Sequence, residues 1–421
     1  MTTHTHNRPG LADAVENLLG GDLPVALHAY DGSSRGPGDA AAAVEITSPR
    51  AVRRMLSAPG QLGFARAYVS GDMTVDGDIY AVLQLQDRVD NTSRRPQAWL
   101  DLVRAAGASG ALGRPPAPPP EEARLHGRRH VRSRDAAAIS HHYDVSNDFY
   151  RLFLGPTMTY SCAVWESPDS GLDAAQEAKY ELVCQKLGLR PGMRLLDVGC
   201  GWGDMALHAA QHHGVHAVGV TVSAEQAAYA DKRVADAGLS DRVEIRQTDY
   251  RDVTDGPYDA ISSIGMFEHV GESRLSAYFG LLHRLLAPGG RLLNHGISRP
   301  AGSRPMGSRG FIQRYVFPDG ELHEIGKVIS EVQGSGLEVR HTENLREHYA
   351  LTLRAWVDNL EHRYDEAVEM VGPARTRIWR LYLAGSALGF EAGRTEIHQT
   401  LAVRADAGKS HLPLRPDWTH Q

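Results

Sequence analysis

Between Leu195 and Ala210 the chain reads LLDVGCGWGDMALHAA: an apolar run, three glycines at alternating positions, then an amphipathic helical pattern. Few architectures accept that order. Without a Cβ, Gly199, Gly201 and Gly203 let the backbone turn sharply and lie against a ligand. The helix that follows opens with unpaired N–H groups facing the same place. The pattern predicts a strand, a ligand-binding turn and a helix at the rim of an open α/β sheet. Asp197, near the strand end, directs its carboxylate to that crevice.

The strands that follow narrow the ligand. A dinucleotide enzyme places an acidic residue roughly 20 positions after the glycines, at the end of the second strand. Here HAVGVTVSAEQ ends on Thr221 and Ser223, with Glu225 and Gln226 already in the next helix. The third strand, VEIRQTDYRDV, ends at Asp249 and Tyr250, which suit the edge and face of an adenine. The fourth, YDAISSIGMFEHVG, carries Met266, Phe267, Glu268 and His269 to its carboxyl end. S-adenosylmethionine (SAM) fits this layout better than a nicotinamide cofactor.

The remaining composition sets bounds. A chain of 421 residues predicts two or three domains. Its net charge of −6 argues against a nucleic-acid partner. Three cysteines, Cys162, Cys184 and Cys200, make no disulfide framework and suit a reducing cytoplasm. MTTHTHNRPG lacks an apolar signal core, and no run approaches a membrane span, so the expectation is a cytoplasmic protein, neither secreted nor integral in a bilayer. The 21 histidines show no metal-ligand spacing. His208 and His212 read as a solvated helix face with no third ligand nearby, and no metal is expected.

Residues 1–110 predict a smaller α+β domain, with strands in LPVALHAY and AAAVEITS and a helical run from Pro49. Residues 111–123, proline- and glycine-rich, read as a linker. Residues 124–421 form the second domain, α/β and Rossmann-like, a doubly wound, mostly parallel sheet with helical lid and insertions. Residues 300–325 interrupt the alternation as a lid-like insertion. The helices from REHYALTLRAW and TRIWRLYLAGSALGF read as packing against the sheet, with the lining of an acyl-chain tunnel as the sharper alternative. Arg124, Arg128, Arg129, Arg132 and Arg134 read as a solvated helix face, or else as a patch for an anionic membrane surface.

From about residue 125 to 403 the chain resembles the cyclopropane-fatty-acyl-phospholipid synthases and mycolic acid cyclopropane synthases. The resemblance rests on HHYDVSNDFYRLFL, TMTYSCAVW, LLDVGCGWG, GVTVSAEQ, DYRDV, IGMFEHVG, RYVFPDGEL and HYALTLRAW, in the family's order. The first domain also looks like the one that precedes the catalytic domain in phospholipid-acting members. The resemblance implies a SAM-dependent methyltransferase. Tyr143, Tyr160 and Ser161 would lie near the methionine part of SAM, Gly199 and Gly201 at the turn, Thr221 and Gln226 at the ribose, and Asp249 beside the adenine. It further implies a bicarbonate ion held by Cys162, Glu268, His295, the backbone at Ile297, and Tyr349. His295 lies in LLNHGIS where many members read LLHTIG.

The implied substrate is the cis double bond of an unsaturated acyl chain in a membrane phospholipid, reached by peripheral contact with the inner face of the membrane. The alkene attacks the sulfonium methyl and leaves a carbocation that must lose a proton. Glu268 and His295 would orient the bicarbonate and receive its proton, with Tyr143 and Phe267 beside the cation. Loss of a proton from the new methyl closes a cyclopropane. A prior hydride shift gives instead a mid-chain methylene, which a partner reductase could convert to a methyl branch. Dimerisation through the first domain is an expectation at the level of the family. Two other readings compete: a SAM-dependent methyltransferase of a small molecule, and a non-catalytic lipid-binding protein.

Overall fold

The computed structural model describes residues 10–85, 88, 96–123, 134, 146–303 and 310–418. The packing separates two units. One comprises Met1–Arg124, Ser308–Val316 and Arg363–Leu388; the other comprises Leu125–Gly307, Phe317–His362 and Gly389–Gln421. They are therefore not two consecutive stretches, as the sequence suggests, because two later segments join the first unit.

The first unit holds a sheet of β1 (Ala26–Ala29), β2 (Ser34–Arg35), β3 (Ala42–Ile46) and β4 (Met73–Gly77), in the order β2-β1-β3-β4. The expected linker is ordered against this unit. Arg54 Nη1 donates to the Ala117 carbonyl at 2.7 Å, and buried Glu122 accepts two hydrogen bonds from Arg66 at 2.7 and 2.8 Å. Proline-rich backbone has spare carbonyls, and arginine forks satisfy them. The long helix Tyr364–Glu391, broken at Gly372 (φ 80°), was expected on the larger sheet. Instead, buried Arg380 donates to the Tyr68 hydroxyl at 3.1 Å and to the Val75 and Gly77 carbonyls at 2.9 and 2.8 Å. Part of the expected lid, Phe311–Tyr315, also belongs to this unit, where the Tyr315 hydroxyl donates to Glu122 at 3.2 Å.

The second unit is built on β5 (Arg194–Val198), β6 (His216–Thr221), β7 (Val243–Gln247), β8 (Tyr258–Ile264), β9 (Leu286–Arg299), β11 (Glu338–Asn344) and β12 (Glu396–Val403). Their order is β11-β12-β9-β8-β5-β6-β7, and a short β10 (His323–Glu324) pairs with β9. All pairs from β9 to β7 are parallel; only β12 runs antiparallel to both its neighbours. Strand periodicity explains the burial. Leu196, Val198, Val218 and Ile261 enter the core on one face, and Leu195, Ala217 and Ala260 enter the other. Among the described residues, no helix is long and apolar enough to cross a membrane.

Candidate active site

The turn after β5 behaves as its glycines demand. Gly199, Gly201 and Gly203 have φ of 79°, 55° and 87°, and the Gly199 and Cys200 N–H groups both donate to the Val220 carbonyl at 3.0 Å. The carboxyl ends of β5 to β8 open into one cleft. It is lined by Tyr160, Ser161, Asp197, Gly199, Gly201, Thr221, Gln226, Asp249 and Tyr250, among others. The nine expected cofactor positions within the described residues thus meet in one place. Tyr143, the tenth, lies outside the described residues.

Several polar groups in the cleft are held by neighbours. Asp197 accepts from the Ser262 hydroxyl at 2.7 Å, and burial pushes its carboxyl up to about 6. Thr221 donates to Gln226 Oε1 at 2.9 Å, and Ser223 caps the helix Ala224–Asp236 through the Gln226 N–H at 3.3 Å. Asp249 receives both the Arg251 N–H and its guanidinium, at 2.9, 2.8 and 2.6 Å. Tyr250 meets Tyr278 edge-on with centroids 5.1 Å apart.

Lys179 lines the same cleft and was missed in the sequence, because no motif surrounds it. It is buried on the helix Leu172–Leu187 and donates to the Ser161 hydroxyl at 3.2 Å, while Gln176 donates to the Ser161 carbonyl at 3.0 Å. Burial lowers the Lys179 ammonium to about 8, against the opposing pull of Asp204 and Asp197. The available signal was a polar side at positions 176 and 179 on the same helical face as buried Tyr180, Val183 and Cys184.

Glu268 stands just beyond β8, next to the cleft residues Met266 and His269. Its Oε1 accepts the Ile297 N–H at 2.6 Å, so that N–H aims the carboxylate. Among the described residues, Oε2 is buried without a hydrogen-bond partner. Burial raises the carboxyl to about 7, opposed by the Ile297 N–H. His295, 1% exposed, accepts or donates at Nδ1 with Gln399 at 3.3 Å and has no partner at Nε2 among the described residues. Burial first, then Lys179 and Lys186, hold its imidazole well below its usual range.

Backbone contacts tie the other two expected residues to this region. The Leu345 carbonyl accepts the Tyr349 N–H at 3.1 Å and the Cys162 thiol at 3.8 Å. The Leu345 N–H donates to Ile397, which pairs across the strands with Ile297. Burial pushes the Cys162 thiol up, so it stays protonated. The Tyr349 ring lies 4.7 Å from Phe390 and 6.0 Å from Trp356.

Two expectations change. Arg134 belongs to no solvated face: its guanidinium forms a two-point bond with Asp319 at 2.6 and 2.8 Å, and only 13% of its side chain is exposed. Arg124, Arg128, Arg129 and Arg132 lie outside the described residues. His208 does have ligand-type neighbours, since the fold sets Cys184 and Glu181 beside it and His213. The Cys184, His208 and His213 ligand atoms lie within 4.8 Å of one another. His213 already shares a hydrogen bond with Glu181 at 2.9 Å, and burial holds the His208 imidazole down to about 4, so the cluster reads as a hydrogen-bonded contact between two helices.

Known proteins resemble this chain over most of its length. The family model described as mycolic acid cyclopropane synthetase matches residues 130–400. A probable fatty acid methyltransferase of Mycobacterium tuberculosis is 46% identical over 98% of this chain and 99% of its own length. The cyclopropane-fatty-acyl-phospholipid synthase of Escherichia coli is 33% identical over 87% of this chain and 89% of its own. Among solved structures, the mycolic acid cyclopropane synthase CmaA1 in complex with SAH and CTAB is 36% identical. It covers 64% of this chain and 98% of its own, with a TM-score of 0.60. The chain belongs to the mycolic acid cyclopropane synthetase family and is a SAM-dependent methyltransferase.

Proposed function

We propose that the protein transfers the SAM methyl to the cis double bond of an unsaturated acyl chain in a membrane phospholipid, and that a bicarbonate ion is held beside the reacting carbon. SAM supplies the electrophilic methyl when bound, and bicarbonate supplies a small mobile base. The observation that carries this reading is the pair of buried atoms Glu268 Oε2 and His295 Nε2, neither with a partner among the described residues. Buried polar atoms are rarely left unpaired, and a small anion with both donor and acceptor character would satisfy both. An alkene that has taken up a methyl cation must lose a proton, and a positioned base beside the methyl donor meets that need.

In this reading Tyr160, Ser161, Asp197, Gly199, Gly201, Thr221, Gln226, Asp249 and Tyr250, with Tyr143 from the resemblance, hold SAM. Cys162, Glu268, His295 and Tyr349 surround the anion, and Ile297 orients Glu268. The relatives' names include both cyclopropane synthases and fatty acid methyltransferases. The product is accordingly a cyclopropane or a methylene-bearing chain, the latter needing a reductase to become a methyl branch.

The test is mass spectrometry of fatty acids from oleoyl- and palmitoleoyl-containing phospholipid vesicles incubated with the protein and SAM carrying a trideuterated methyl. The expected product is heavier by one carbon and two deuteriums, since one deuteron leaves with the base. Catalytic hydrogenation then separates ring from exocyclic methylene. Unlabelled lipid, with SAM binding intact, would refute the substrate.

Access to such a substrate requires contact with a bilayer, and the basic segment at 124–132 supplies it in this reading. Replacing Arg128, Arg129 and Arg132 with neutral residues is expected to weaken binding to anionic vesicles about 100-fold at moderate salt, at on the order of 1 kcal/mol for each charge. Vesicle co-sedimentation checks this, and unchanged binding would remove the segment from the interface.

A further inference from the structure

Gln399 lies on β12 directly across from His295 on β9, and both are buried, at 0% and 1% exposure. A glutamine amide has an accepting end and a donating end, and its neighbours decide how it is turned. Here the neighbour is Lys186, whose fully buried Nζ stands 2.7 Å from Gln399 Oε1. An ammonium has donors only, so the carbonyl end of Gln399 must face Lys186. The amide nitrogen then faces His295 Nδ1 at 3.3 Å and must donate to it. A ring nitrogen that accepts carries no proton. In a neutral imidazole the proton therefore resides on the other nitrogen, Nε2, the atom without a partner among the described residues.

The remaining link holds the relay in place. Lys186 pairs at its other side with Glu343 of β11, so its ammonium is anchored by a carboxylate and cannot readily turn away. A buried lysine is costly to keep, and a simple packing role would be served better by an apolar side chain. What the lysine achieves here is the orientation of one amide, and through it the state of one ring.

We propose that Glu343, Lys186 and Gln399 form a tautomer clamp that keeps the His295 proton on Nε2, so that the ring presents an N–H donor to the buried anion and takes no proton, leaving Glu268 Oε2 as the final acceptor. This rests on the anion-site reading above, and it changes one part of it: His295 holds and orients, while Glu268 alone receives the proton released by the substrate. Gln399 and Lys186 are positioning residues, since they act on the reaction through His295.

The experiment is nitrogen NMR of the full-length protein labelled at histidine, with the His295 signals assigned by their loss in His295→Asn. In the wild type, Nε2 is expected to be protonated and Nδ1 bare, unchanged through the pH range where exposed histidines titrate. Gln399→Glu places an acceptor between Lys186 and the ring, and is expected to put a proton on Nδ1. Its turnover should fall about 100-fold, within the range of acid–base effects, with SAM affinity retained. A protonated Nδ1 in the wild type would overturn the clamp, as would an unprotonated Nδ1 in a folded Gln399→Glu. Should that variant fail to fold, the wild-type spectrum alone decides. Adding sodium bicarbonate to the wild type is expected to shift the Nε2 signal. No shift, with the expected tautomer present, would refute the anion reading and leave the clamp standing.

Discussion

Glu268→Gln is expected to bind SAM normally and to turn over about 10² to 10⁴ times more slowly, the span attributed to a positioned proton acceptor. The substitution keeps the size of the side chain and the bond from the Ile297 N–H, and removes only the ability of Oε2 to take a proton. The same burial that raises the carboxyl to about 7 gives the wild type a pH signature: activity should climb as pH rises through about 7, where the group becomes an ionised acceptor. Near-normal turnover in the variant would take Glu268 out of the mechanism.

Stability should move the other way. A folded-state value of about 7, above the ordinary 4.5, means that the native state binds the proton more tightly than the unfolded one. Stability from this group is then fully present below about 4.5 and is lost as pH rises through about 7. At about 1.4 kcal/mol per tenfold, the rise amounts to about 3 kcal/mol. Relative to wild type, Glu268→Gln should therefore gain up to that amount at pH 8, less what its own unpaired amide costs, and lose the gain in acid. Denaturant melts at the two ends of that range test it, and equal stabilities at both would contradict the assignment. A side chain that makes the protein less stable at working pH and faster at its chemistry is the usual compromise of an active site.

The second large effect is expected from Gly296→Ala. Gly296 lies between His295 and Ile297 on β9, and a Cβ there would stand 2.0 Å from Phe267 Cε1 and 3.2 Å from Glu268 Oε1. Its backbone is ordinary strand, so the demand is for space and not for an unusual φ. A methyl group would force the Phe267 ring away, and Glu268 is the next residue in the same 3₁₀ turn. Overpacking of this kind costs about 1 to 3 kcal/mol. Turnover should fall at least about 100-fold, since a displaced base loses the reach that proton transfer requires. Calorimetric melting together with turnover checks both parts. A variant with wild-type melting and turnover would mean that the Phe267 pocket yields without moving Glu268.

Much of the cofactor cleft was legible because its signals are local. Gly199, Gly201 and Gly203 adopt positive φ within five residues, Thr221 ends β6, and Asp249 caps the turn that holds Tyr250. Such features follow from steric freedom, periodicity and short-range capping, which neighbours in the chain determine. Glu268 and His295 were found by resemblance, and their individual chemistry was not visible: a glutamate after a strand is usually solvated. Its raised carboxyl comes from strands and helices that close around it.

What escaped the sequence depends on pairs distant in the chain. Arg134 reads as one more charge in a basic run until Asp319 meets it, and the proline-rich 111–123 reads as a linker until Arg53, Arg54 and Arg66 donate to it. The helix Tyr364–Glu391 has the composition of any core helix, and only Arg380 against Tyr68, Val75 and Gly77 settles its allegiance to the first unit.

The sequence by itself determined the Rossmann-like architecture, the glycine turn and the residues at the strand ends, because each is set by backbone sterics and by an alternation of polarity along a few residues. Only the tertiary structure decided which buried polar atoms are satisfied and which are left open. Lys186, His295 and Gln399 are brought together from three elements, and a proton's place on His295 is dictated by a lysine 109 positions earlier in the chain, by hydrogen bonding that no local pattern encodes.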